Sequence, residues 1–258
     1  APKTSPMHDA LSRLYKELAP YWPLISPRAD YAHEAEHWRT ALRAALGGGR
    51  HNLLELGTGG GHFLSYLARE HNVTGVDLSE DMLAHARKLM PAAEFVIGDM
   101  RQVRLDGLFD AVLLHDALNH CHTVEDVRAV LATAAAHLAG GGVLLLAPER
   151  YTETFQDGAA SHSHRRKGDC EVAYFEYVYD PDPADTAVER VMVFVIREGS
   201  EAVRVEQLRF REGLFSRDAW LRMLEAGGFT LVEERRYDVD PAFPGLKLLV
   251  ARKRDGLT

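Results

Sequence analysis

Acidic residues and glycines stand where three apolar segments end. Residues 53–63 read Leu-Leu-Glu-Leu-Gly-Thr-Gly-Gly-Gly-His-Phe, and Asp77 and Asp99 close the next two apolar segments. Glycine leaves the backbone bare enough for a ligand to touch it and allows positive φ. Amides at the start of the following helix face a polar or negatively charged group. Because the carboxyl ends of parallel strands meet at one edge of a sheet, the loop and both acids suit a single bound nucleoside.

The glycine spacing does not fit a dinucleotide. Dinucleotide enzymes place glycines at the first, third and sixth positions of this turn, but His62 occupies the sixth position here. Glu55 precedes the first glycine by two residues, and a pyrophosphate has no use for an acid there. Asp77, at the end of the second strand, can accept hydrogen bonds from both ribose hydroxyls. The pattern therefore predicts an adenosine that carries a cationic rather than a phosphorylated tail.

Strands that alternate with helices must position these residues. Continuous apolar runs such as 109–114 are typical of strands that are buried on both faces. Alternation with amphipathic runs predicts a parallel, doubly wound sheet. The predicted strands are 52–56, 73–76, 94–97, 109–114, 143–147, 229–236 and 247–252, the predicted helices are 60–69, 80–89, about 124–138 and 216–226, and 140–142 is the predicted turn before the fifth strand.

A β-rich insertion and an N-terminal helical region complete the predicted architecture. Segments 171–179, 187–197 and about 202–211 have no helix between them, so they are expected to pair antiparallel. Helices at 7–18 and from an Asp30 N-cap to Leu46 are expected to cover the glycine loop or the substrate. The fold class is α/β: a doubly wound, Rossmann-like, seven-stranded, mostly parallel sheet with an inserted antiparallel β lid. The predicted domains are 1–50, an N-terminal helical cap; 51–148 with 214–258, the Rossmann-like domain; and 149–213, the lid.

Five segments, in this order, resemble the motifs of the class I S-adenosylmethionine-dependent methyltransferases. Residues 55–61 look like their first motif, 75–79 like the second and 98–100 like the third; 109–114 resembles the fourth and 138–143 the turn before the fifth strand. The resemblance covers roughly 52–147 and the final helix and strands. It implies S-adenosylmethionine as the cofactor and S-adenosylhomocysteine as the product.

The resemblance also implies a role for each motif residue. Glu55 and the glycine backbone would approach the methionine part, and Asp77 would hold the ribose. Leu78 and Met82 would flank the adenine, while Asp99 and Met100 would contact its amine. The implied cofactor-binding residues are Tyr21, Tyr31, Glu55, Gly57, Thr58, Gly59, Gly61, Asp77, Leu78, Met82, Gly98, Asp99, Met100 and His115. Without the other motifs, Asp77 and Asp99 would be read as plain caps of strand ends.

Two further segments resemble one small-molecule branch of this family, which includes deoxysugar N-methyltransferases and glycine-type N-methyltransferases. Residues 30–35 look like the Asp-Tyr-x-x-Glu-Ala segment before the first motif. Residues 116–120 resemble an Asp-Ser-Leu-Asn-Tyr segment, although Ala117 replaces Ser and His120 replaces Tyr. A β-rich insertion is also typical of this branch. The resemblance therefore implies a lid over the site and a homo-oligomer formed through the insertion.

Histidines near the end of the fourth strand are candidates for the chemistry. Methyl transfer is an in-line displacement from a sulfonium, so holding the nucleophile in line can supply much of the catalysis. An amine needs only to arrive unprotonated, whereas a hydroxyl benefits from a base, most often His. His120 is the predicted catalytic residue, which orients or deprotonates the nucleophile; alternatively it bonds a carbonyl and shapes the pocket. His115, His120 and His122 also invite a metal interpretation, but their rings need not converge, and no metal is predicted.

The predicted substrate residues are Asn119, His120 and Arg165. Arg165 belongs to the basic segment 161–167, which reads either as a mobile loop that clamps a phosphate or carboxylate or as a solvated loop. Tyr21 and Tyr31 belong to an N-terminal aromatic group. Their faces could attract a sulfonium, or they could simply pack in the core.

Composition limits the partners. The formal net charge of −8 over 258 residues argues against a nucleic-acid partner. No apolar run approaches the ~20 residues of a membrane helix, so no membrane association is expected. The two cysteines form neither a disulfide framework nor a metal pattern, which favours the cytoplasm.

The sequence predicts an enzyme that transfers a methyl group from S-adenosylmethionine to an amine or hydroxyl of a small-molecule acceptor. Two alternatives stay open. One is an N-methyltransferase specific for a nucleotide-linked aminosugar. The other is a non-catalytic nucleoside-binding protein of the same fold.

Overall fold

A seven-stranded sheet lies at the centre of the computed structural model, which describes residues 10–237 and 246–254. Its strands are β1 (Asn52–Leu56), β2 (Asn72–Asp77), β3 (Glu94–Ile97), β4 (Phe109–Leu114), β5 (Leu138–Leu146), β10 (Phe229–Tyr237) and β11 (Leu246–Lys253). Their order in the sheet is β10-β11-β5-β4-β1-β2-β3. Strands β1 to β5 pair in parallel, and β11 is antiparallel to both of its neighbours. The predicted Rossmann-like, mostly parallel sheet is therefore confirmed.

Helices cover both faces of this sheet. They are α2 (Ala32–Leu46), α3 (Leu64–Leu67), α4 (Glu80–Leu89), α5 (Val124–His137) and α6 (Arg217–Ala226), whereas the short α1 (Trp22–Ile25) packs on the second sheet. Apolar side chains of α2, α3 and α4 pack on one face of the sheet, and those of α5 and α6 pack on the other. The central strands are buried on both faces, which explains their continuous apolar sequence. None of the helices described is both long enough and apolar enough to cross a bilayer.

Two sequence predictions fail at glycines. The helix predicted over 60–69 is reduced to α3, because Gly59 (φ +53°) and Gly61 (φ +71°) hold a conformation that an α-helix does not continue. The turn predicted at 140–142 lies inside β5 instead. Strand β5 pairs with β4 on both sides of these glycines, with a register shift between Phe109 and Ala111. A bulge accommodates the extra residues, and glycine commonly marks such a bulge.

A second sheet contains one strand that the sequence did not predict. The antiparallel order is β6-β7-β8-β9, from Ala159–Lys167, Cys170–Tyr179, Ala187–Glu198 and Arg204–Gly213. Strand β6 covers the basic segment that was read as a loop. It is an edge strand with exposed or half-buried residues throughout, so its sequence lacks the alternation that identifies a strand with one buried face. Charged residues on an edge strand also discourage pairing with other chains.

The N-terminal segment joins the two sheets. It forms a π-helical turn at Arg13–Glu17 and 3-10 turns at Ala19–Tyr21 and Arg28–Tyr31, and its apolar side chains pack against the inner face of the second sheet. Residues 7–9 of the predicted first helix lie outside the described residues. Asp30 is not the N-cap of α2, which is Tyr31. The Asp30 carboxylate instead pairs with Arg165 of β6 at 2.7 Å.

Replacing Gly57 by alanine will test how tightly the glycine loop is packed. Gly57 has φ +81°, and a Cβ there would lie 2.1 Å from Cβ of Ala117. Gly199 has φ +55° but nothing within 4 Å of an added Cβ, so Gly199→Ala isolates the backbone cost. We expect Gly199→Ala to lower the free energy of unfolding by about 1 kcal/mol and Gly57→Ala by about 2–5 kcal/mol, since overpacking adds to it. Urea unfolding measures both free energies. Equal losses in the two variants would show that the loop accommodates the added methyl group without a packing penalty.

Candidate functional site

The glycine loop is held at the end of β1 by its neighbour in the sheet. The amides of Gly57 and Thr58 both donate to the carbonyl oxygen of Val76, at 2.8 and 2.9 Å. Gly57, Gly59 and Gly61 all have positive φ, which glycine adopts without strain. The loop is thus a rigid turn with bare backbone at the carboxyl edge of the sheet.

Asp77 bridges the loop and the start of α4. Its Oδ2 accepts from the amide of Gly59 at 2.8 Å, and its Oδ1 accepts from the amide of Ser79 at 2.9 Å. Burial raises the pKa of this carboxyl, and the two amides oppose the shift. Each carboxylate oxygen can accept a second hydrogen bond. Asp77 therefore caps the strand end and can still receive ribose hydroxyls.

The residues predicted beside the adenine take different positions. Leu78 is 64% exposed, whereas Met82 is fully buried. The Met82 methyl lies 3.5 Å from where a Cβ of Gly59 would be, so Met82 supports the loop from below. An exposed apolar side chain beside a fixed carboxylate is the surface that a purine and its ribose can cover.

Asp99 is already engaged by its own turn. Arg101 binds both carboxylate oxygens, with Nη2 2.7 Å from Oδ2, and its amide donates to Oδ1 at 2.9 Å. This guanidinium lowers the pKa of Asp99. Arg101 also pairs with Asp126 at 3.0 Å. Gly98, Asp99 and Met100 follow β3 as predicted, and Met100 reaches the loop, where its sulfur lies 3.9 Å from the position of a Gly57 Cβ.

Glu55 is buried beneath the loop. It is 2% exposed, and its carboxylate accepts a hydrogen bond from the Thr58 hydroxyl. Burial raises its pKa to about 8, although the Thr58 hydrogen bond and the charge of His115 act in the opposite direction. Glu55 therefore titrates close to neutral pH, and a cation near the loop would favour its charged form.

His115 lies in a buried ionic chain at the end of β4. Its Nε2 is 2.9 Å from the Glu34 carboxylate, and its Nδ1 is 3.4 Å from that of Asp116. Its ring stacks on Phe63 at 4.3 Å between centroids. Burial alone would lower the pKa of His115, but the two carboxylates raise it to about 10. The imidazole is therefore charged at neutral pH, and Tyr237 donates to the other oxygen of Glu34 at 2.5 Å.

A 3-10 turn at Asp116–His120 carries two of the predicted substrate residues, Asn119 and His120. Its Ala117 lies directly on Gly57 of the loop. The Asp116 side chain is 62% exposed, and its Oδ2 lies 3.4 Å from Nδ1 of His115. Desolvation by the surrounding protein and the nearby carboxylates raise the pKa of Asp116 to about 6, although the charge of His115 opposes this shift. The Asp116 side chain is therefore a charged carboxylate above this pH.

His120 is neutral and paired with the N-terminal segment. Its Nε2 lies 2.9 Å from the Tyr15 hydroxyl, while its Nδ1 is buried without a hydrogen-bond partner among the described residues. Burial and the positive charge of Arg190 lower the pKa of His120 to about 4. Tyr15 in turn accepts a hydrogen bond on its carbonyl from the Ser79 hydroxyl at 2.5 Å. It thus links the Asp77 side of the site to the His120 side.

Asn119 leads into a charged cluster that the sequence did not predict. Its amide nitrogen donates to Glu149, which follows β5. Arg190 of β8 binds Glu149 at 3.0 Å, Glu176 at 2.6 Å and Glu212 at 2.8 Å. These side chains are 5–15% exposed. The cluster fixes the inner face of the second sheet to the turn that holds Asn119.

Three other predicted residues serve the packing of the N-terminal segment. Tyr21 donates to Glu198 at 2.9 Å and packs in the cluster on the second sheet rather than over the loop. Tyr31 is closer to the site, with its ring 5.7 Å from that of His115 and its hydroxyl bonded to Ser26 at 2.6 Å. The Arg165 guanidinium donates to the carbonyls of residues 24 and 25 and to Asp30. The Arg165 guanidinium therefore ties β6 to the N-terminal segment, and its assignment to the substrate stays a prediction.

The histidines after β4 do not form a metal site. His115 pairs with Glu34, while His120 bonds Tyr15. Across 10–237 and 246–254, no group of three or more His, Cys, Asp or Glu side chains is placed to hold a metal ion.

Comparison with known proteins identifies the domain. A methyltransferase domain model matches residues 53–142. Among curated proteins, the chain is similar to the dTDP-3-amino-3,4,6-trideoxy-alpha-D-glucopyranose N,N-dimethyltransferase of Streptomyces venezuelae, with 39% identity over 134 residues that cover 51% of this chain and 56% of that protein. The matched segment thus spans about half the length of the first curated relatives.

Solved structures match over most of the chain. Streptomyces venezuelae DesVI superposes with a TM-score of 0.74 and 29% identity, covering 85% of this chain and 91% of the other. CalS10, an amino pentose methyltransferase from Micromonospora echinaspora solved with S-adenosylmethionine bound, gives a TM-score of 0.72 and 29% identity, covering 86% and 91%. With its methyltransferase domain, sheet order and inserted second sheet, the chain is similar to class I S-adenosylmethionine-dependent methyltransferases, and among these it resembles the deoxysugar N-methyltransferases.

Proposed function

We propose that this protein is an enzyme that transfers a methyl group from S-adenosylmethionine to the amine of a small-molecule acceptor, with an aminosugar as the acceptor class. The observation that supports the proposal is the packing of the turn that carries Asp116 and Asn119 against the glycine loop through Ala117. A carboxylate attracts an ammonium, and it accepts hydrogen bonds from an amine. The aminosugar N-methyltransferases among the relatives and neighbours support the same acceptor.

The described residues fit the cofactor. Gly57 and Gly59 are half-buried, so a ligand can reach the backbone there, whereas Gly61 is buried against Ala86 and Met90. Asp77 would hold the ribose, Leu78 would cover the adenine, and Glu55 would lie beneath the methionine part. When bound, S-adenosylmethionine supplies an electrophilic methyl group on a sulfonium.

The chain's own residues then orient the acceptor and take its proton. Asp116 binds the ammonium of the acceptor and receives a proton from it, which the exposed carboxylate passes to solvent. The nitrogen lone pair is thereby freed toward the loop. His120, which is neutral, adds a dipole held by Tyr15 and contributes no positive charge of its own. Proximity and orientation supply the rest of the rate enhancement.

The partners and organisation follow from the same features. We propose a three-part chain with an N-terminal cap over 1–50, a Rossmann-like domain over 51–148 and 214–258, and a lid over 149–213. The net charge of −8 supports the absence of a nucleic-acid partner, and the two free cysteines support a cytoplasmic location.

We also propose a homodimer formed through the second sheet. The outer face of that sheet exposes Phe175 (46%), Val195 (41%) and Val205 (62%), and Val195 and Val205 are register partners. The ion pairs Glu171–Arg197 and Glu189–Arg209 border this face. Because both signs are present, a second copy can approach without net repulsion.

Paired acceptors test the proposed reaction. We expect label from methyl-labelled S-adenosylmethionine to enter a nucleotide-linked 3-amino sugar at least about 100-fold faster than its 3-hydroxy counterpart. An amine nitrogen is nucleophilic once it is unprotonated, whereas a hydroxyl needs a base to take its proton. Asp77→Ala should weaken S-adenosylhomocysteine binding by about 100-fold in calorimetry, because two hydrogen bonds to a charged group are lost. Asp81→Ala, exposed on the first turn of α4, should bind normally. Label in the hydroxy sugar alone would contradict the proposal.

The pH profile tests the role of Asp116. Its pKa of about 6 predicts that kcat/KM rises with pH through this value as the carboxylate ionises. In Asp116→Asn this limb should disappear and kcat/KM should fall by about 10- to 100-fold, the usual cost of a lost charged hydrogen bond. Asp106→Asn, at an exposed position, is the control and should keep the limb. If the rise of kcat/KM near pH 6 persists unchanged in Asp116→Asn, the group that titrates there is another residue, and the role of Asp116 is contradicted.

Sedimentation tests the dimer. Val205→Glu places a charge at the exposed apolar face and should convert a dimer to a monomer, because burying an unpaired charge is strongly unfavourable. Val203→Glu is a control of similar exposure (54%) outside the four strands, and it should leave the dimer intact. A wild-type protein that sediments as a monomer at all concentrations would rule the interface out.

A further inference from the structure

Asn119 has a defined orientation because its partner is an obligatory acceptor. Burial alone would raise the pKa of Glu149, but Arg150 and Arg190 lower it, so Glu149 is ionised. An ionised carboxylate cannot donate a hydrogen bond. The atom of Asn119 that meets Glu149 must therefore be the amide nitrogen, and the carbonyl oxygen Oδ1 must point the other way.

Asn119 and Asp116 lie on the same face of the turn. The two residues are three apart in a 3-10 turn, and side chains at this spacing eclipse each other. No hydrogen bond to Oδ1 is formed by the described residues, and Oδ1 is not among the buried polar atoms left without a partner. The turn itself packs on the glycine loop through Ala117. A carbonyl oxygen and a carboxylate thus belong to residues on one face of the turn that packs on the loop.

We propose that Glu149 is a positioning residue, which holds the Asn119 amide so that its carbonyl and the Asp116 carboxylate receive the two N–H groups of a primary amine. This inference rests on the proposed function and gives it a source of specificity. A primary amine has two N–H groups besides its lone pair, whereas a hydroxyl has one O–H. Two acceptors side by side therefore fix the amine with its lone pair toward the methyl donor.

Arg190 connects the Glu149–Asn119 pair to the second sheet. It reaches Glu149 from β8 and is itself held by Glu176 of β7 and Glu212 of β9. Burial and the neighbouring Glu149 raise the pKa of Glu212 to about 7, although Arg190 opposes the shift. Removing the charge of Glu149 would let Glu212 ionise more fully. The cluster can thus compensate for Glu149→Gln, which makes this isosteric change a usable test.

A reciprocal exchange distinguishes positioning from a structural role. In Asn119→Asp two carboxylates face each other, so we expect kcat for the amino sugar to fall by about 30-fold or more. In Glu149→Gln the Asn119 amide loses its fixed orientation, and we expect a fall of about 10-fold. The double variant restores a hydrogen bond, because the amide introduced at position 149 donates to the carboxylate introduced at position 119, and a carboxylate oxygen faces the acceptor. We expect its kcat to return to within about threefold of the wild type.

Controls separate the possible failures. Glu176→Gln changes the same cluster at Arg190 without touching Asn119 and should leave kcat within about threefold. Affinity for S-adenosylhomocysteine should be equal in all variants, which shows that the loop is intact. A double variant no faster than Asn119→Asp overturns the positioning role, and this comparison stands even where Glu149→Gln alone does not fold. An inactive wild type with normal cofactor binding would instead refute the proposed amine methylation.

Discussion

A buried ion pair between His115 and Glu34 fixes the geometry on which the site depends. Glu34 comes from α2, His115 ends β4, and Tyr237 at the end of β10 donates to the same carboxylate. The His115 ring stacks on Phe63, which follows the glycine loop. Three separate parts of the chain thus meet at the Glu34 carboxylate. Loss of one partner would leave an uncompensated buried charge at a cost of about 3–5 kcal/mol, so these parts are held in a single arrangement.

The same pair orders the charges of the site. A charged His115 beside Asp116 helps to keep that carboxylate available, while the low pKa of His120 keeps the opposite wall neutral. Further out, Arg190 neutralises carboxylates from both sheets and ties Glu149 to Asn119. The acceptor side therefore presents hydrogen-bond acceptors to its ligand. A site of this kind is suited to an amine, and the cofactor edge on the other side of the loop is suited to an adenosine.

The sequence predicted those elements that depend on residues close to one another along the chain. Buried parallel strands are continuous apolar runs, and the glycine loop with Asp77 is a local pattern, so the central sheet and the place of the loop at its edge could be predicted. Strand β6 was missed because an exposed edge strand carries no alternation. The Arg190 cluster was missed because Arg190 and Glu149 are 41 residues apart and meet only through tertiary packing. Arg165 was assigned to substrate because nothing in the sequence indicates that Asp30, 135 residues away, is its partner.

The charge state of His115 tests the account most directly. Histidine-selective nitrogen-15 labelling, with His115→Gln to assign the resonance, reports its protonation during a pH titration. The account predicts that His115 stays protonated through neutral pH and titrates only near pH 10. Titration near the ordinary histidine pKa of about 6.5 would mean that the ion pair is not maintained, and it would contradict the arrangement of charges on which the proposed amine site rests.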